Sequence, residues 1–292
     1  MKQILVPVDF TPSSLNAVNY ATAMATTHNM RITLFHVLEL YQYTAWVQET
    51  EIITPVFPLD DIIKTETLAL KNLQQIITDI KQTNNALQID YLLLKGSYID
   101  ELITQSSLPD TALLVLSTFN NHDFLDNTKT SMREMFYESA CPIILVPQHF
   151  TYTLPQHLLY VTNYHQYDIP LIKSILNSLS PLQITIKILS VLSQKPDFES
   201  NLKQLGFQKL LETHFPTNLF TFETIRNKEI DNAIKDNIIH DKEDIVILVK
   251  ENKSILQLIF EHVHISKLST IINKPIMFFS ERLIEKLKLS TD

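Results

Sequence analysis

Glycine is nearly absent, with 2 in 292 residues, where ordinary usage would give roughly twenty. A site that works by bringing bare backbone against a phosphate therefore starts at a disadvantage, because glycine is the residue that admits such an approach. Cysteine is rarer still. Cys141 stands alone, so neither an internal disulfide nor a cysteine-based zinc cluster can form within one chain. Its place before Pro142, at the start of an apolar run, predicts a buried thiol. Positive charge is also in deficit. The formal net charge is −8 and no run of Lys or Arg interrupts it, which argues against a nucleic-acid footprint. Apolar stretches fall short of the roughly 18 residues of a membrane span, and "MKQILVPVDF" is too short a run before Asp9 for a signal-peptide core. The expectation is a soluble, cytoplasmic protein with no nucleic-acid or membrane partner.

Motifs for common hydrolytic chemistry are missing as well. There is no G-x-S-x-G elbow and no G-x-x-x-x-G-K-[ST] loop, and the carboxylates are scattered rather than paired. His262 and His264 sit two apart in a region of helical pattern, where they face different ways. No metal site is expected from them. His36, inside a strand pattern, reads as an interior histidine.

What is present is an alternation. A hydrophobic content of 45% suffices for sizeable cores, and the length suggests about two domains. "QILVPVD" is a strand signal. "TPSSLNAVNYATAMATTHN" follows as a helix, with Thr11 as N-cap and Pro12 at the first helical position. "RITLFHVLE", "LQIDYLLLKG", "TALLVLS" and "CPIILVP" are further strands. Helical patterns fall between them at 61–83, in "SYIDELITQSS" and at 129–139. Strands alternating with helices imply a parallel sheet covered on both faces, and the continuously apolar "TALLVLS" and "PIILV" suit doubly buried strands.

The second half repeats the first. "HLLYVTN" matches "KQILVPVD", placing Asn163 where the first half has Asp9. "DIPLIKSILNSL" matches the first helix, with Asp168 as its cap. "QITIKILSVL", "KEIDNAI", "DIVILV" and "KPIMFF" match "RITLFHVLE", "SYIDELI", "TALLVLS" and "CPIILV". The offset shrinks from 154 residues at Asn163 to 133 at Pro275, and the difference is assigned to residues 40–59. Repetition on this scale means a duplicated domain. The predicted fold is α/β: two tandem doubly wound domains, each a five-stranded parallel sheet with helices on both faces. The domains are 1–148 and 156–280, joined by Gln148–Gln156 and followed by a tail, 281–292.

The strand and helix order, with "ILVPVDFTPSSLNAVNYA", "ITLFHV" and "CPIILVP", resembles the universal stress protein family, in two tandem copies. The resemblance implies that the closing strands of the copies pair antiparallel about a pseudo-twofold axis, so that one chain mimics a dimer. A homodimer of whole chains stays open. Nucleotide-binding members of the family carry G-x2-G-x9-G-[ST] after the fourth strand, and hold the nucleoside at the positions of Asp9 and the backbone near Val37. Here that loop reads Ser117, Asn120, Thr130 and Ser131. The spacing and the last hydroxyl survive, and all three glycines are gone. Counted back from Pro142, the final pair becomes Lys129 and Thr130. Side chains at 117, 120 and 130 occupy volume where phosphates would lie, and Asp123 and Asp126 oppose the one nearby cation, Lys129. In the second copy Val249, Asn252, His262 and Val263 fall on the motif.

The expected function is a non-enzymatic stress-response protein working through a protein partner or small ligand, with vestigial nucleotide positions at Asp9, Val37, Ser117, Asn120, Thr130 and Ser131. The alternative is an ATP-binding, slowly hydrolysing stress protein using the first domain. A third reading is a small-molecule binder beneath residues 40–59. That segment holds Trp46, Tyr41, Tyr43, Phe57, Pro55 and Pro58, and is expected to be an irregular loop over the local core, or else a lid or a partner surface.

Overall fold

The computed structural model describes residues 1–39, 45–49, 52–56, 58–117, 134–165, 167–179, 184–192, 198–226, 242–249 and 273–289. In the first half these form β1 (Gln3–Pro7), α1 (Pro12–His28), β2 (Arg31–Leu38), β3 (Ala45–Glu49), β4 (Ile52–Val56), α2 (Leu59–Thr83), β5 (Ile89–Lys95), α3 (Tyr98–Ser106), β6 (Thr111–Ser117) and β7 (Ile143–Val146). The second half gives β8 (His157–Val161), α4 (Asp168–Leu179), β9 (Thr185–Leu192), α5 (Phe198–His214), β10 (Phe220–Arg226), β11 (Ile245–Val249), β12 (Ile276–Phe279) and α6 (Glu281–Leu289).

Ten of the strands share one sheet, in the order β10-β9-β8-β11-β12-β7-β6-β1-β2-β5. Within each half of this sheet every pairing is parallel. The halves meet at a single antiparallel seam, where Ile276, Met277 and Phe278 stand opposite Leu145, Ile144 and Ile143. The duplicated doubly wound fold is therefore as expected, with its closing strands joined.

Burial explains why these segments are strands. β1, β7, β11 and β12 are buried at every position, as strands covered on both faces must be. One face carries Ile4, Val6, Ile32, Leu34 and Ile144 against α1 (Ala17, Ala21) and α2 (Leu73, Ile80), and continues through Ile186 and Ile188 to α4 (Leu171, Ile172, Ile175) and α5 (Phe207, Leu211). The other carries Leu5, Phe35, Leu114 and Leu116 against α3 (Ile99, Leu102) and Met135. The helix α1 starts as predicted. Thr11 is its N-cap, its hydroxyl accepting from the Ser14 amide, with proline in the first turn.

Several details differ from the sequence reading. Residues 45–49 and 52–56 are not an irregular loop but an antiparallel pair, with Trp46 opposite Pro55. The shortening of the second copy is not confined to that segment, since α2 has 25 residues and α5, its counterpart, has 17. The tail begins with a helix, α6, whose Leu283 and Ile284 are buried. Asp168 opens α4 but does not cap it by bonding forward. Its carboxylate reaches back to the His165 amide at 2.9 Å. "KEIDNAI", and residues 129–133 of the helix expected at 129–139, lie outside the described residues, and 134–138 are helical.

Candidate functional site

Each half has a point where the strand order reverses direction, between β1 and β6 and between β8 and β11. In open α/β sheets, ligands bind outside the carboxyl ends of the strands at this point. Three of the predicted site residues come to the first crevice. Asp9 follows β1 and is exposed, Ser117 ends β6 and is buried, and Val37 lies near the end of β2, also buried. Asn120, Thr130 and Ser131 lie outside the described residues.

The Asp9 carboxylate is already engaged. Its Oδ1 accepts from the Thr11 amide at 2.9 Å and from the Thr11 hydroxyl at 2.6 Å. The same Thr11 hydroxyl oxygen then accepts from the Ser14 amide at 3.2 Å. Asp9 thus positions the residue that starts α1. Phe10, between them, adopts a left-handed φ of 65°, a conformation uncommon outside glycine and asparagine. Its ring packs 4.8 Å from that of His36, and His36 bonds through Nδ1 to the Val8 carbonyl at 2.6 Å. The interior role expected for His36 is thus to hold the chain immediately before Asp9.

Two further residues join this crevice that the sequence reading did not single out. Glu39 follows β2, and its Oε1 accepts from the Tyr98 amide at 3.2 Å, at the start of α3. The Tyr98 phenol is pushed well above its ordinary range, by burial first and then by the carboxylates of Asp9 and Glu39. Two acidic groups therefore act on one phenol at the crevice. The usable signal was positional: Glu39 ends one strand and Tyr98 opens the helix after another, and both ends converge at a reversal of strand order.

The second crevice repeats the backbone and replaces the chemistry. Tyr164, the counterpart of Phe10, has a φ of 61°. Asn163 stands exposed in place of Asp9. Beneath it lies a buried network centred on Asp168. Oδ1 accepts from the Tyr160 hydroxyl at 2.7 Å, and Oδ2 from the Thr162 hydroxyl at 2.5 Å and the His165 amide at 2.9 Å. Burial raises the Asp168 carboxyl above its ordinary value, against the opposing effect of those hydrogen bonds and of His165. The phenol of Tyr160 is raised far above its own, chiefly by burial and next by Asp168. Here the acidic group supports the fold from below and is not presented to the crevice.

Residues 1–85 match the sequence model of the Universal stress protein family. That stretch runs from β1 to just past α2, and the match ends before β5, so beyond it the likeness is one of fold. A universal stress protein from Archaeoglobus fulgidus superposes with a TM-score of 0.61 at 12% identity, over 95% of this chain and 96% of that one. A functionally unknown protein from Pseudomonas aeruginosa gives 0.57 at 11%, over 100% and 97%. The cytoplasmic domain of a prokaryotic cation chloride cotransporter gives 0.55 at 10%, over 98% and 99%. At such identities the likeness is one of fold, and fold alone does not carry function. No curated protein matches the sequence. Among the described residues no helix is long and apolar enough to cross a membrane.

Proposed function

We propose that the chain is a non-catalytic, tandem universal stress protein whose first-domain crevice no longer takes ATP, and which acts in stress response through a protein partner or a small ligand. The observation that carries this reading is the state of Asp9. Its Oδ1 already takes two hydrogen bonds from Thr11, and it shares the crevice with a second carboxylate, Glu39, the two acting together on Tyr98. With those contacts taken, the carboxylate is less free to receive a nucleoside, and the glycine-free sequence after Ser117 offers a triphosphate no close backbone approach. A non-glycine residue held at positive φ costs about 1–3 kcal/mol. Were a triphosphate to require that conformation at Ser117, Asn120 and Thr130, the cost would offset much of a micromolar affinity of about −8 kcal/mol.

The test is calorimetric titration with ATP, ADP and AMP in the presence of magnesium. The expected result is no binding tighter than about millimolar, or roughly −4 kcal/mol. Micromolar ATP binding overturns the proposal. The alternative, an ATP-binding protein using the first domain, draws its support from the exposure of Asp9 at the strand-order reversal. In that case Asp9→Ala weakens binding and Asn163→Ala leaves it unchanged.

A further inference from the structure

The helix α5 is apolar on two opposite sides. Phe207 and Leu211 point into the core, at 4% and 0% exposure. Phe198, Leu202 and Leu205 recur at helical spacing on the outer side, at 83%, 57% and 63% exposure, and Leu210 widens the stripe at 46%. Gly206 lies on this outer side, and a Cβ built there meets nothing within 4 Å. The helix covers the outermost strand of the sheet, the Gln204 amide donating to the Thr224 hydroxyl on β10 at 3.1 Å. Phe222 on that strand is also exposed, at 37%.

We infer that this outer face of α5 binds a second copy of the same chain, helix against helix and antiparallel, about a twofold axis near Gln204. Three features select that occupant. An antiparallel pairing centred at 204 sets Leu202 onto the second copy's Gly206, where no side chain resists close approach. It gathers Leu202 and Leu205 of both chains at the axis and sets Phe198 against Leu210. It also places Glu199 opposite the second copy's Lys209, twice by symmetry, so the face is self-complementary in charge as an isologous contact requires. Within one chain, Glu199 pairs with Lys203 and Lys209 with Glu212 on the exposed helix surface, where such pairs are weak and exchange readily. The inference is independent of what, if anything, the crevices bind.

One helix pair buries less than a standard interface of about 1,600 Å², so the dimer is a weak, concentration-dependent one. Sedimentation equilibrium of the full chain tests it. The expected result is self-association to a dimer at roughly 100 µM chain, a weak contact in keeping with an interface below standard size. Leu202→Glu raises the dissociation constant about tenfold or more, the loss expected for a central apolar anchor. Glu199→Lys alone weakens association, and adding Lys209→Glu restores it. The double variant does not rebuild the pairs within one helix, so restoration reports the contact between chains. Far-ultraviolet circular dichroism and thermal melting confirm that each variant is folded. A wild-type chain that stays monomeric overturns the inference. So does a dimer indifferent to Leu202→Glu, or one that the double exchange fails to restore.

Discussion

Ile144 stands opposite Met277 across the antiparallel seam, and each is the other's counterpart in the repeat. The pair therefore marks the pseudo-twofold axis of the sheet. The flanking pair Leu145–Ile276 maps onto Ile143–Phe278, which is the self-complementary pattern of a closed dimer. The Ser280 hydroxyl reinforces the junction by donating to the Ser139 carbonyl at 2.5 Å, while its oxygen accepts from the Leu283 amide to start α6.

Because Ile144 is fully buried at this axis, truncation leaves a cavity shared by both halves. Ile144→Ala is expected to cost about 2–5 kcal/mol. Urea denaturation followed by circular dichroism checks it, and the wild-type halves are expected to unfold in one transition. Two resolved transitions would show that the seam does not couple them.

Asp168 gives the chain a pH dependence of definite sign. Its folded pKa lies above the unfolded one, with burial the leading cause, so the folded state holds the proton more tightly. The contribution to stability is fully present below the unfolded value of about 4 and is lost as pH rises through the folded one. Asp168→Asn is expected to flatten the stability–pH curve in this interval. Asp168→Ala also strips the Tyr160 and Thr162 hydroxyls of their acceptor, and is expected to cost about 1–3 kcal/mol at neutral pH. Thermal melts across the pH range distinguish the two variants.

Thr11 links the first crevice to α1, since it both donates to Asp9 and caps the helix. Thr11→Ala is expected to lower stability by about 0.5–2 kcal/mol. Thr11→Ser, which keeps the hydroxyl, should recover most of that. Chemical denaturation of the two variants reads the difference. Equal losses would mean that the methyl group matters and the cap does not.

Cys141 is buried, and burial pushes its thiol up to about 12, against the opposing effect of a hydrogen bond from Ser139 and the charge of Lys286. Thiolate is the reactive form. The folded protein is expected to resist a disulfide reagent near neutral pH and to react promptly in denaturant. Stopped-flow thiol titration with and without denaturant checks this.

The legible part of the fold was the part with one physical signature. β1, β6 and β7 are apolar runs because they are covered on both faces, and the Cys-Pro-apolar closing strand marked the seam. The helix α5 escaped because its leucines and phenylalanines point both inward and outward, which leaves no single stripe to detect. β10 escaped as an edge strand, its threonines and exposed Phe222 blurring the apolar signal. Trp46 and Pro55 hid a strand pair, since proline within a strand pattern argues for loop unless the strand is at an edge. In the candidate site, Asp9 was legible as the acid after β1. Its bond to Thr11 depends on the left-handed turn at Phe10, which no residue type there announces. Asp168 was visible as a helix-start acid, but its burial beneath Asn163 depends on Tyr160 in β8 and Thr162 just after that strand.

The antiparallel seam also has a consequence for heredity. When two identical chains meet across a twofold axis, any change in the gene appears on both sides at once, and the axial pair must be two copies of one residue. Here the two sides are encoded separately, so Ile144 can face Met277. Asp9 can persist while its counterpart becomes Asn163, and one half can keep a 25-residue helix while the other shortens to 17. Fusing the halves frees each crevice to drift without compelling the other to follow.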